Sequence, residues 1–285
     1  MKTVITGAGG QLGRALQDAL ASHEIVALDH AALDITNRDA VRAAIFTAGP
    51  DVVIHPAAWT DTVGCERDPE RAILVNAEGA RNVAEAARDA GAAMLHISTN
   101  EVFDGEKRTP YAEDDRTTAI NAYGRSKLAG EEAVQEALPE HYIVRTSWLY
   151  GAGRQSFPEK ILSSARDQKN LRGVTDEIAS PTLTVDLAQA IARLIETESY
   201  GTYHLTNDGE CSRKVWAKEV LRLTGINVPI EAATQADFGS PVRKPAYSTL
   251  ANNSAAKLGI TLRPWRDALR EYLGSEIAQQ SRALA

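Results

Sequence analysis

The chain has 285 residues, which at ~100–200 residues per domain allows one large domain or two modest ones. Its 44% hydrophobic and 24% charged residues are those of an ordinary globular protein and exclude a disordered, collagenous or low-complexity chain. With 31 basic against 38 acidic residues the net charge is −7, so no general attraction to nucleic acid or an anionic membrane is expected. An anion has to be bound locally, by backbone amides or a few placed cations. No apolar run approaches the ~20 residues of a membrane span, and the N-terminus lacks signal-peptide architecture. Cys65 and Cys211 are isolated and match no zinc or redox spacing. The expectation is a cytoplasmic protein without a metal.

In chain order, Lys2 to Thr6 reads as a buried strand, followed by a glycine turn and a helix from Leu12 to about Ser22. Glu24 to Asp29 is a second strand, Val52 to Pro56 a third, Ala93 to Ser98 a fourth and His141 to Thr146 a fifth, with helical patterns at 38–48, 69–90 and 122–138. Short apolar strands alternating with longer helical segments predict βαβ units and a Rossmann-type, doubly wound parallel sheet of the α/β class. After Trp148 the rhythm changes: helices at 157–168, 184–196 and 213–224 are interspersed with short strands such as Thr202 to Leu205. The stretch from Pro229 to Leu250 reads as loop-rich, and a helix from about Trp265 to Leu273 closes the fold. With the motifs described below, this organisation predicts a dinucleotide-binding part, 1–150 plus about 170–205, and a smaller α/β substrate-binding part, 151–169 plus about 206–285.

Between the first strand and first helix stands Thr6-Gly7-Ala8-Gly9-Gly10-Gln11-Leu12-Gly13. Gly7, Gly10 and Gly13 allow a sharp turn, close approach of the backbone to a pyrophosphate, and tight helix–strand packing. The helix N-terminus, with Gln11 and Leu12, then offers N–H groups to the phosphate. The alternative is a tight turn that holds no ligand; its position directly after a strand favours the nucleotide. Asp29 ends the second strand, where a carboxylate accepts the hydroxyls of an unphosphorylated ribose and repels a 2′-phosphate. That favours NADH, while Arg14 just beyond the loop leaves NADPH open. Asp34 and Ile35 are placed to contact the adenine; equally, Asp34 is placed to cap the helix at 38.

Tyr123 and Lys127 are four residues apart on a predicted helix and share a face. An ammonium near a phenol lowers its pKa from ~10 and lets it exchange a proton with a carbonyl or alcohol oxygen. At the end of strand four, the Thr99 hydroxyl is placed to polarise a substrate carbonyl, though threonine is also an ordinary turn former there.

These three elements in this order resemble the extended short-chain dehydrogenase/reductases. Further stretches resemble, within that superfamily, the dTDP-4-dehydrorhamnose reductases: Val102-Phe103-Asp104-Gly105, Arg145 to Gly151 (RTSWLYG), Ser180-Pro181-Thr182, Gly201 to Leu205 (GTYHL) and Lys244 to Ser248 (KPAYS). The resemblance implies hydride transfer from NADH or NADPH to C4 of a nucleoside-diphosphate 4-keto-6-deoxy sugar. By it, Tyr123 delivers the proton, Lys127 holds the nicotinamide ribose, Thr99 polarises the carbonyl, and Ala57 and Ala58 line the cofactor. Trp148 is a wall against the sugar or a plain core aromatic. Arg243 and Lys244 supply charge for the substrate pyrophosphate or are solvated loop cations.

The sequence departs from the family where STDYVFDG is usual: here Asn100-Glu101 replaces an Asp and a Tyr near the sugar. Glu101 either changes the pocket's charge or merely faces solvent. A Thr-Asp-Glu resembling this stretch marks nucleotide-sugar 4,6-dehydratases, so a dehydratase or epimerase is the alternative, and a non-catalytic regulatory subunit on the same fold a further one. Ala15 stands where some members carry a metal-holding glutamate, which implies a monomer or a homodimer that is not metal-bridged.

Overall fold

The structure, a computed structural model, describes residues 1–167 and 170–283. Its centre is a six-stranded sheet, all parallel, from β1 (Lys2–Thr6), β2 (Glu24–Leu28), β3 (Val52–His55), β4 (Ala93–Thr99), β5 (His141–Thr146) and a late strand, Gly201–His204. The order is β2-β1-β3-β4-β5 with Gly201–His204 at the far edge. It reverses between β1 and β3, and doubly wound sheets bind ligands outside the strand carboxyl ends at such a switch point.

Both faces of the sheet are covered, which is why its strands read as unbroken apolar runs. Alternate residues serve opposite cores. Ile5, Ile54, Leu95 and Val144 pack with α1 (Gln11–Ala19) and the helix Thr184–Leu194. Val4, Val53, Met94 and Ile143 pack with α2 (Arg38–Ala48), the helix Gly79–Asp89 and the helix Ala122–Ala137. The expected helix at 69–90 is broken into Pro69–Ile73, a π turn at Leu74–Glu78, and Gly79–Asp89. Such a turn inserts one extra residue and commonly accompanies a functional site.

The remaining segments build a smaller layer on three two-stranded pairings: Leu149–Tyr150 with Thr182–Leu183, Leu171–Val174 with Ile230–Ala233, and Ile178–Ala179 with Cys211–Ser212. The loop-rich stretch from Pro229 to Leu250 includes the strand Ile230–Ala233; only Ala233 of it is fully buried, so it carries little apolar signal. Within segment 171–183, Leu171–Val174 and Ile178–Ala179 pair with strands after 206, and Thr182–Leu183 pairs with Leu149–Tyr150, so none of the three joins the central sheet. The expected helix at 157–168 runs Phe157–Arg166, and Gln168 lies outside the described residues. The last helix, Trp265–Ala283, is longer than predicted. Among the described residues no helix is long and apolar enough to cross a membrane.

Candidate active site

The glycine loop leaves β1 at the switch point. Gly7 adopts φ +61°, and a Cβ there would lie 2.8 Å from the Ala57 backbone. At Gly13 a Cβ would lie 2.4 Å from the Gly7 carbonyl oxygen. Both distances are impossible contacts with backbone, so glycine is required at each. Gly10 is the N-cap of α1 and its N–H donates to the Gly7 carbonyl at 3.0 Å, leaving the first-turn amides without intrahelical partners. A cradle of this shape fits a dinucleotide pyrophosphate. Leu12 is buried in the core. The Gln11 side chain turns outward and donates to the carbonyls of Gly151 (2.7 Å) and Arg154 (3.1 Å), tying the loop to the chain beyond β5.

Asp29 lies beside the loop: a Cβ on Gly9 would be 3.4 Å from that of Asp29. Its carboxylate is exposed and accepts from the Ala32 N–H at 2.9 Å. Asp34 does not cap α2; Asn37 does, accepting from the Ala40 N–H. Asp34 closes its own turn instead, accepting from the Thr36 N–H and hydroxyl, and these bonds hold its pKa below the usual carboxylate value. Ile35 is buried beneath Gly79, and its carbonyl accepts from Asn82. Ala57 and Ala58, half-buried after β3, border the loop through the Gly7–Ala57 contact. Asn76, in the π turn, clamps this region. Its side chain accepts from the Trp59 N–H at 2.8 Å, and donates to the Trp59 carbonyl at 3.0 Å and the Ser126 hydroxyl at 2.9 Å.

Thr99 ends β4, and a short 3₁₀ turn, Asn100–Val102, follows. The Thr99 hydroxyl accepts from the Glu101 N–H at 3.2 Å and donates to the Asn100 side-chain oxygen at 3.2 Å. Asn100 is buried and donates to the Ser248 hydroxyl at 2.7 Å, joining the strand end to the C-terminal segment. Glu101 does not face solvent. Its carboxylate meets Lys244 Nζ at 2.8 Å and accepts from the Asn121 amide at 2.8 Å. Lys244 is therefore an ion-paired group and not a solvated cation. Arg243 is exposed, and its carbonyl accepts from the same Asn121 amide at 3.0 Å.

Asn121 caps the helix Ala122–Ala137 through the Gly124 N–H, which places Tyr123 in the first turn and Lys127 in the second. Tyr123 stands beside the Thr99 side chain, and packs with Trp59, Cys65 and Ala72. The expected lowering of its pKa by Lys127 is not what the structure shows. Burial first, then the Glu101 charge, push the phenol above its ordinary value, while the Thr99 side chain opposes them. The Lys127 ammonium is engaged by His96 Nε2 at 3.1 Å, and burial lowers its pKa to about 8, Glu131 opposing.

Trp148 has φ +44°, a strained conformation for a non-glycine residue. The Arg213 guanidinium lies 3.5 Å from the centre of its indole ring, and Trp216 lies parallel to it at 5.7 Å. Arg213 is in turn paired with the mostly buried Glu177 at 3.2 Å. Trp148 is half-buried, so it is not a plain core aromatic, and its ring is braced on one face by a cation.

Arg213, Asn76 and His96 were not legible as site residues. Their roles depend on contacts across the fold, and only the run His96-Ile97-Ser98-Thr99 places one of them near a recognised motif. Beneath Thr99, Ser98 donates to Glu131 at 2.5 Å, and Arg145 holds that carboxylate through Nε and Nη2. Among the described residues no group of three or more His, Cys, Asp or Glu side chains is arranged to hold a metal.

Comparison with known proteins places this geometry in context. The family model described as the RmlD substrate binding domain matches residues 1–277. The spore coat polysaccharide biosynthesis protein SpsK of Bacillus subtilis is 39% identical, over 95% of this chain and 96% of that protein. The dTDP-4-dehydrorhamnose reductase of Mycolicibacterium smegmatis is also 39% identical, over 97% of this chain and 86% of its own. The crystal structure of the Bacillus anthracis dTDP-4-dehydrorhamnose reductase in complex with NADP superposes with a TM-score of 0.93 at 36% identity, covering 96% of this chain and 99% of that one. The resemblance read from the motifs thus extends over the whole fold, and the chain belongs to the RmlD family of dTDP-4-dehydrorhamnose reductases.

Proposed function

We propose that the chain reduces the C4 ketone of a nucleoside-diphosphate 4-keto-6-deoxy sugar, in particular dTDP-4-dehydro-L-rhamnose to dTDP-L-rhamnose, with NADH or NADPH. The observation that carries this reading is the meeting of Tyr123 with the Thr99 side chain at the carboxyl end of β4, with Lys127 one helical turn on and the glycine cradle on the same sheet. When bound, the reduced nicotinamide supplies a hydride. Tyr123, kept protonated by burial and by Glu101, donates its O–H proton to the carbonyl oxygen as that oxygen gains charge. The Thr99 hydroxyl polarises the same oxygen. Ketone, hydride and proton give the alcohol, and the phenolate left behind is disfavoured where it stands, so it takes a replacement proton from solvent water.

In this reading the backbone of Gly7, Gly10, Gln11, Leu12 and Gly13 holds the pyrophosphate and Asp29 the adenosine ribose. Asp34 and Ile35 lie at the adenine, Ala57 and Ala58 along the cofactor, and Tyr123 and Lys127 at the nicotinamide ribose. Asn100, Glu101, Trp148, Arg243 and Lys244 face the nucleotide sugar. Residues 1–150 with 184–205 form the cofactor part; the rest, including 171–183, covers the sugar. The exposed Asp29 carboxylate favours NADH, whereas the Bacillus anthracis relative was solved with NADP. Both cysteines are free and buried, in keeping with a cytoplasmic location.

A reductase releases its cofactor each turnover, whereas an epimerase or dehydratase retains it oxidised. Purified protein incubated with excess NADH or NADPH should exchange whatever nicotinamide it carries. Stoichiometric NAD+ that survives this exchange would contradict a reductase. Asn100 also argues against dehydration, because its amide has no carboxylic proton to give and is already bonded to Ser248.

A further inference from the structure

A line of buried polar groups runs from β1 to the lysine of the site. The Thr6 hydroxyl and His55 Nδ1 are 2.6 Å apart, the His55 and His96 rings stack at 5.4 Å, and His96 Nε2 lies 3.1 Å from Lys127 Nζ. Thr6, His55, His96 and Lys127 are 0, 1, 0 and 2% exposed. None of the histidine contacts is used by the reaction as described above.

A buried ammonium needs acceptors, and a ring nitrogen accepts only when it carries no proton. Burial, reinforced by the Lys127 charge, holds both imidazoles neutral: His55 is lowered to about 3 and His96 well below its usual value. His96 therefore presents an unprotonated Nε2 to the lysine and carries its proton on Nδ1. The other nitrogen of each ring, His55 Nε2 and His96 Nδ1, is buried with no hydrogen-bond partner. Leaving two such atoms unsatisfied is costly, and apolar side chains would fill the space without that cost. The charged and titratable groups around Lys127 are His96 from β4, His55 from β3, and Glu131 from its own helix, whose carboxylate Arg145 of β5 already holds. His96 is thus the group that takes the lysine's hydrogen bond.

We propose that His96 is a positioning residue for Lys127: its Nε2 accepts from the ammonium and aims it, while His55, tied to Thr6 in the strand that feeds the glycine loop, braces the ring. The proposal rests on the reading of Tyr123 and Lys127 as reductase residues that meet the nicotinamide ribose. It couples that lysine mechanically to the base of the cofactor cradle.

The test is the pH dependence of cofactor affinity, followed by the fluorescence of bound NADH or NADPH, in the wild type and in Lys127→Met, His96→Leu and His96→Gln. Wild-type affinity is expected to fall as pH rises through about 8, and Lys127→Met to lack that transition. His96→Leu, with no acceptor, should move the midpoint down by about one pH unit or more. His96→Gln, whose amide oxygen reaches the place of Nε2, should restore it to within about half a unit. Superimposable wild-type and Leu profiles would overturn the proposal, as would Gln and Leu variants shifted alike. If the Leu variant does not fold, a wild-type profile without a transition that depends on Lys127 overturns it equally. Failure of the reductase reading is distinguishable, because it would leave this binding profile intact with no sugar-dependent oxidation of the cofactor.

Discussion

Glu101 and Lys244, 143 residues apart in the chain, form a 2.8 Å ion pair at the mouth of the site, with Asn121 bonded to the same carboxylate. The pair joins the end of β4 to the C-terminal segment and neutralises Lys244, the cation that in the proposed reading faces the dianionic substrate. Glu101→Gln should free Lys244 and lower the KM for the nucleotide sugar about 5-fold, the ~1 kcal/mol such a pair contributes. The gain should shrink as salt is raised. Lys244→Ala should act in the opposite direction on KM. Steady-state kinetics at two ionic strengths read both effects, and an unchanged KM in Glu101→Gln would show that Lys244 does not serve the substrate.

Proton donation by Tyr123 separates chemistry from binding. Tyr123→Phe is expected to lower kcat by ~10²–10⁴ with cofactor affinity held within about twofold. Thr99→Val should lower kcat by ~10²–10³, the usual loss for a donor to a developing oxyanion. Both are measured by steady-state turnover alongside a fluorescence titration of the cofactor.

The glycine cradle makes a contrast between two alanine substitutions. Gly13→Ala forces a Cβ to within 2.4 Å of the Gly7 carbonyl oxygen, which cannot yield without moving the loop. It should cost ~1–3 kcal/mol, lower Tm by several degrees and abolish cofactor binding. Gly49→Ala has open space and only its φ of +56° to oppose it, so it should cost ~1 kcal/mol and leave cofactor binding intact. Calorimetry with and without NADPH distinguishes the two.

Arg145 and Glu131 are 6% and 1% exposed, a buried pair between β5 and the helix that carries Tyr123. Arg145→Met leaves the carboxylate uncompensated and should destabilise the protein by ~3–5 kcal/mol. The double variant Arg145→Met with Glu131→Leu removes both charges and should recover much of that loss. Urea unfolding midpoints decide the matter; equal loss in both variants would assign the effect to packing.

Acid stability should follow the buried histidines. His55 and His204 are lowered to about 3 by burial, from an unfolded value of ~6.5. Between these values the unfolded chain binds protons that the native state refuses. Stability contributed by the neutral rings is therefore complete above pH ~6.5 and falls as the pH drops towards 3. His204→Gln, which cannot titrate, should flatten the slope of unfolding free energy against pH across this window. An unaltered slope would contradict the assignment.

The parts of the site readable in the sequence are those made by short spacings. Gly7, Gly10 and Gly13 are fixed by one turn, and Tyr123 and Lys127 by one helical repeat, so their proximity follows from local structure alone. The central sheet was equally legible, because strands buried on both faces leave unbroken apolar runs. The pairing of Glu101 with Lys244, and of Arg213 with Trp148, joins distant segments and leaves no local periodicity. Asn76 was hidden in another way: the π turn that aims it lies inside what reads as one continuous helix. The short strands such as Ile178–Ala179 and Cys211–Ser212 are too brief to carry a pattern of their own.

The most direct measurement is to add dTDP-4-dehydro-6-deoxy-L-mannose to the protein with NADH, and separately with NADPH, and to follow loss of reduced-nicotinamide absorbance against sugar product. One reduced cofactor consumed per ketone reduced, with the rate collapsing in Tyr123→Phe, is the predicted result. No sugar-dependent oxidation with either cofactor, or conversion of the sugar without net consumption of reduced cofactor, would contradict it.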